Sequence, residues 1–273
     1  MKKEVEEKLS RYEAYFAQDP QNISLLLHII EYCMELRNFY KARDYLEILL
    51  QIEPKHSGAL GLKAQLEYDY GDETIAETLA SEALKLDPED YNAQVVLLSL
   101  SEEVDHSVIE KIEHLMHVQA DDARLWFLKG YQQLALFDAE NAEYSLRKAI
   151  ELFDEYYDAF SVLIWALLLQ NKNQEAMNIA KKLRLLAPQS AEAMAAMALM
   201  HALLGEEKKA GSYLQKAIKL KEPGFMCVLA ELVLLKKSNA ELAKIKFEQL
   251  FGHSMRVFKA LFEQMLFIDK TVH

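Results

Sequence analysis

Residues 123–156 read ARLWFLKGYQQLALFDAENAEYSLRKAIELFDEY, and the way this stretch divides decides the fold. Apolar residues recur at helical spacing through Arg124–Leu136 and again through Ala139–Leu152, the period of an amphipathic helix. The pattern breaks around Phe137-Asp138, which predicts a turn between two helices. Trp126 and Leu146 are bulky, whereas Gly130, Ala142 and Ala149 are small. Small residues on facing helices let the two backbones approach, and bulky ones fill the space between successive pairs.

The rest of the chain repeats this unit. Pro20, Pro54 and Pro88 stand 34 residues apart, Pro188 follows Pro88 by 100, and Pro223 comes 35 later. The first four close similar phrases, FAQDP, LQIEP, LKLDP and LRLLAP, in which proline ends one helix and its neighbours begin the next. A fixed period of this length signals a repeat architecture. The register gives units 23–56, 57–90, 91–122, 123–156, 157–190 and 191–224, then a shortened seventh from Phe225 to about Phe251. The third is degenerate, and its loss of two residues is assigned to a shortened turn near Glu103–Asp105. One hairpin cannot bury both of its faces, so stacking must supply the core. The organisation expected is an N-terminal capping helix in 1–19 (Val5–Ala17, with Leu9, Tyr12, Tyr15 and Phe16 inward). A repeat array follows over 20–251, then a C-terminal capping helix and tail over 252–273.

Position by position, the units resemble the tetratricopeptide repeat family, whose pattern is Trp, Leu-Gly and Tyr in the first helix, then Ala, Phe, Ala and a closing Pro. Trp126, Gly130, Ala142 and Ala149 carry the resemblance best. Ala42/Pro54, Gly71/Ala76/Ala83/Pro88 and Gly205/Ala210/Ala217 extend it over almost the whole chain. It implies an all-α, right-handed superhelical solenoid of stacked helix-turn-helix hairpins. It also implies a concave groove lined by first helices, in which partners lie. Carried over, the groove positions are Arg124, Phe127, Tyr131 and Leu134, then Asp158, Ser161, Trp165 and Leu168, then Glu192 and Leu199. Such a groove would suit an amphipathic helix or an extended apolar peptide. The same aromatics would serve equally as packing within a tight superhelix or against a neighbouring helix. The acidic rim (Asp158, Glu192, Glu31, Asp69) favours a basic or neutral segment. The Lys/Asn clamp with which some family members hold acidic chaperone tails is missing, since Leu27, Glu31, Gly61 and Gln65 occupy the corresponding positions.

Composition bounds the function. The chain has 273 residues, is 51% hydrophobic, and carries 8 Gly and 5 Pro, so it holds ample apolar surface and little loop. A formal net charge of -12 argues against nucleic acid, which demands clustered Lys and Arg. Cys33 and Cys227 lie far apart in helical patterns, which fits a reducing compartment and a cytoplasmic protein. The start, MKKEVEEKLSRYEAYF, is charged where a secretion signal would be apolar. The longest apolar run, Val162–Leu169, is far short of the roughly 20 residues a membrane span needs.

His114 and His117, with His106 upstream, lack the converging ligands of a zinc site, so no metal and no cofactor is expected. Glu102-Glu103 and Asp121-Asp122 read as turn charges, and no phosphate loop or nucleophile motif appears, so the chain is not expected to be an enzyme. Two functions stay open. One is an adaptor or chaperone-like module that binds a protein segment in its groove. The other is a structural subunit or homo-oligomer held through the apolar C-terminal helix, with Met255, Phe258, Phe262 and Met265 as dimer contacts.

Overall fold

A computed structural model describes residues 2–220 and 225–251, together with 259 and 263. Among the described residues every regular element is helical. The first six are α1 (Lys2–Phe16), α2 (Ile23–Glu35), α3 (Phe39–Ile52), α4 (Ser57–Tyr70), α5 (Glu73–Leu86) and α6 (Tyr91–Leu100). Next come α7 (His106–Val118), α8 (Ala123–Ala135), α9 (Ala139–Leu152), α10 (Tyr157–Leu169) and α11 (Asn173–Leu186). The last are α12 (Ala191–Leu203), α13 (Glu207–Leu220), α14 (Phe225–Ser238) and α15 (Ala240–Phe251). The chain divides into two compact units, residues 1–102 and 103–273. Met255, Phe258, Phe262 and Met265, the expected dimer contacts, lie outside the described residues.

Polar side chains cap the starts of most helices, α10 and α11 excepted. Asn22 accepts a hydrogen bond from the Leu25 amide at 3.1 Å, and Asp90 accepts one from the Ala93 amide at 3.0 Å. Asp105 caps α7 through the amides of Ser107 and Val108, and the imidazole Nδ1 of His56 takes the same role towards Ala59 at 3.1 Å. Each such bond satisfies an amide that the first helical turn leaves without a partner.

The turns are as regular as the starts. Arg37, Phe137, Asn171 and Gly205 occupy the same position of their repeats, and all four have left-handed backbones, with φ of 58, 65, 61 and 80°. Around each, two backbone hydrogen bonds close the preceding helix; in the 123–156 repeat they run from Phe137 N to Leu134 O and from Asp138 N to Gln133 O. That pairing is the motif by which a helix end satisfies its last carbonyls, and it reverses the chain in three residues. The break at Phe137-Asp138 is therefore a backbone device in which the side chain has little part, since Phe137 is largely exposed.

Within the 1–102 unit, α2 pairs with α3 and α4 with α5, while α1 packs on α2 and α6 on both α4 and α5. Val5 and Leu9 of α1 are buried, Tyr12 and Phe16 are partly buried, and Tyr15, expected inward, is half exposed. Within the 103–273 unit the hairpins are α8/α9, α10/α11 and α12/α13, with α7 against α8 and α15 against α14. The degenerate repeat differs from expectation in one detail. Its inter-helix segment, 101–105, is longer than the turns 36–38 and 136–138, and it is the first helix, α6, that is short. The helix stops because Ser101 turns to an extended backbone (φ -71°, ψ 130°). Serine side chains compete for backbone partners, and Ser99 Oγ already donates to Val95 O at 2.8 Å.

The repeat's small positions are all interior. Ala42, Ala76, Ala142, Ala176 and Ala210 are fully buried, as are Ala83, Ala149 and Ala217. Gly130 shows why size matters there: a β-carbon on it would lie 2.7 Å from Leu146 Cγ and 3.2 Å from the Ala142 carbonyl oxygen. Leu146 is itself fully buried and has nowhere to retreat. Gly130→Ala is expected to lower stability by about 1–2 kcal/mol, an overpacking cost only partly offset by alanine's better helix propensity. An unchanged urea midpoint for that variant would mean that α8 and α9 can separate freely.

Candidate functional site

First helices of the 103–273 unit bring the expected groove residues together from α8, α10 and α12, but at very different depths. Leu134 and Leu199 are wholly buried, Leu168 nearly so, and Trp165 and Ser161 are 8% and 6% exposed. Phe127, Tyr131, Arg124 and Glu192 are half-buried, and Asp158 is exposed. The stripe is thus interior along its apolar part and open at its polar and aromatic part.

The apolar part is closed by the chain itself. Helix α14 packs along α12, and the Trp165 indole N–H of α10 points at Met226 Sδ of α14 at 3.0 Å. Met226, Leu229 and Ala230 of α14 are fully buried in turn. Both α10 and α12 are apolar almost all round, as helices buried over most of their length must be.

The open part has two components. Phe127 lies 4.9 Å from Tyr156 and 6.3 Å from Tyr131, centroid to centroid, which makes a tilted aromatic cluster. Beside it, Asp158 and Glu192 occupy the second position of α10 and α12, with Ser161 one turn further along α10. Helix N-termini favour carboxylates, yet both groups titrate high. Burial, first, and then the charge of Asp158 push the Glu192 carboxyl up to about 7, against a weaker downward pull from Ser161. Burial alone raises Asp158. The surface of Asp158 is open to solvent even so. Neither carboxylate has a salt-bridge partner among the described residues, and Ser161 Oγ is buried without a hydrogen bond of good geometry.

Arg124 has a different place. Its guanidinium is held by Asp122, Nε lying 3.0 Å from each carboxylate oxygen, and Asp122 also caps the Arg124 amide at 2.8 Å. That pair fastens the start of α8 and leaves the guanidinium little freedom to meet a ligand. Tyr156, absent from the expected stripe, joins the cluster from the last position of the same repeat, at the start of α10. Its spacing from Phe127 gives no sign of this, since the two are in different helical segments. His106, His114 and His117 are all exposed, and among the described residues no three His, Cys, Asp or Glu side chains converge as metal ligands. Cys33 and Cys227 are buried and not joined in a disulfide, and burial pushes the Cys33 thiol up to about 11. No described helix is long and apolar enough to cross a membrane.

No family model and no curated protein matches the chain. Solved structures do. It is similar to a chain of the APC/C hetero-tetramer Cut9–Hcn1 with a TM-score of 0.61 and 17% identity, over 84% of this chain and 45% of that one. It is also similar to a tetratricopeptide repeat protein from Parabacteroides merdae, with a TM-score of 0.53 and 16% identity, over 89% of this chain and 98% of that one. The present chain therefore spans less than half the length of the first. At such identities the likeness is one of fold. Tandem helical hairpins, small residues at the repeat's close-approach positions and these two neighbours agree: the chain has the tetratricopeptide-repeat fold.

Proposed function

We propose that the protein is a non-catalytic, adaptor-like module that binds a segment of a partner protein at the open end of the first-helix face. The aromatic cluster of Phe127, Tyr131 and Tyr156 receives an apolar side chain, and the Asp158/Glu192 pair receives a Lys or Arg. The observation that carries this is a pair of carboxylates with no salt-bridge partner among the described residues, beside the buried Ser161 hydroxyl. Two carboxylates without a cation repel each other and resist ionisation. A cationic side chain between them would relieve both effects. Two buried cysteines without a disulfide are compatible with a reducing, cytoplasmic setting.

The test uses the full chain as bait in a native extract, with wild type compared against Asp158→Lys/Glu192→Lys. The expected result is a partner held by wild type and lost from the double variant at unchanged helical content. Retention of the same proteins by both baits would sink the reading.

A further inference from the structure

On the opposite side of α12 lies a second, chemically different surface. Glu192 and Leu199 sit on one face of that helix. Met197 and His201, about half a turn away on the helical wheel, look instead into a trough of about 640 Å³ between α11 and α13. Five cations border it: Lys181 and Arg184 from α11, and Lys208, Lys209 and Lys216 from α13. Their spacing is orderly. Lys181 and Arg184 are three apart, and Lys209 and Lys216 are seven apart, so each helix turns one cationic face to the trough.

In a chain with 43 acidic and 31 basic residues this concentration is unusual, and little of it is neutralised. Glu206 takes Lys209 at 3.1 Å and His201 at 2.5 Å. Lys181, Arg184, Lys208 and Lys216 have no carboxylate partner among the described residues. Arg184 Nε is buried and donates to nothing among the described residues, an unmet donor of the kind that costs free energy until an acceptor arrives. Apolar contact is on offer too: Leu185 is 72% exposed at the margin, and Tyr213 stacks on His201 at 5.4 Å while Lys216 Nζ lies 5.3 Å from the centroid of the Tyr213 ring.

We propose that the trough between α11 and α13 docks an acidic, amphipathic segment of a partner protein, its carboxylates meeting Lys181, Arg184, Lys208 and Lys216 and an apolar side chain covering Leu185. Charge selects the class. Screening confines the positive potential to about 8 Å at physiological salt. A long polyanion would extend beyond it into the field of an anionic chain, whereas a short acidic segment stays within it. A small inorganic anion would satisfy Arg184 Nε and leave the length of the trough and Leu185 uncovered. This site shares no residue with Asp158 and Glu192, so it stands or falls separately from the function proposed above.

The experiment is fluorescence anisotropy with the full chain and a short labelled peptide of glutamates interspersed with leucines, alongside a counterpart with glutamine for glutamate. The glutamate peptide is expected to bind, to weaken with added salt, and to lose about tenfold in affinity on Lys181→Glu/Lys208→Glu. A smaller loss in the same direction is expected for Lys181→Gln/Lys208→Gln, and none for Glu192→Gln. Both lysines are exposed, and circular dichroism checks that each variant is folded. Equal binding of the glutamine peptide, or an affinity indifferent to both lysine variants, overturns the proposal. So does tighter binding of a single-stranded oligonucleotide of matched charge, or complete displacement of the peptide by millimolar inorganic phosphate.

Discussion

Trp165→Glu is expected to unfold the 103–273 unit. Trp165 is 8% exposed, faces Met226 of α14, and sits in a helix whose residues 159–168 are all buried. Removing a buried tryptophan costs about 3–5 kcal/mol in packing, and leaving an unpaired carboxylate in its place adds several more. Against a domain stability of about 5–15 kcal/mol, the sum removes most of the margin. Far-UV circular dichroism during heating would show an early loss of helix, with Trp165→Phe much milder. If Trp165→Glu melted like wild type, the contact between α10 and α14 would not be part of the core. The first-helix face would then be open along its whole length.

A second large effect concerns acid and base. The Glu192 carboxyl stands at about 7 in the folded chain against 4.5 when free. A carboxyl raised by folding binds more protons in the native state, so stability falls as pH rises through that window. The loss begins near 4.5, is complete above about 7, and stays level beyond. Because Glu192 is partly exposed, the change is on the order of 1–2 kcal/mol, below the full value of the shift. Glu192→Gln is expected to flatten this slope and to be the more stable protein at neutral pH and above. Asp158→Asn should reduce the slope by removing the second contributor. Urea midpoints measured across the window decide it: parallel pH profiles for wild type and Glu192→Gln would mean that the carboxyl is solvated and ordinary. A partner bringing a Lys or Arg to the pair should release a proton from Glu192 on binding, which calorimetry in buffers of different ionisation enthalpy would detect.

Much of this molecule can be read from local pattern, and the limits are instructive. The turn at Phe137-Asp138 and the small positions at Gly130, Ala142 and Ala149 were visible because they depend only on helices adjacent in the chain. The short α6 was missed because the count of missing residues does not say which segment lost them. Ser101 decides that through its backbone. Trp165 and Phe127 look alike in the stripe, yet one is sealed by α14 and the other is open. Spacing along a helix shows which residues share a face but not what covers it.

The sequence by itself determined the repeat length, the pairing of neighbouring helices and the side of each helix that turns inward, because these follow from the period of apolar and small residues. Tertiary structure alone decided which part of the first-helix face stays open. It also brought Asp158 beside Glu192, and gathered Lys181, Arg184, Lys208 and Lys216 around one trough. The physical reason is distance along the chain: each of these sites is assembled across one or two repeats, and its chemistry depends on burial and charge that stacking creates.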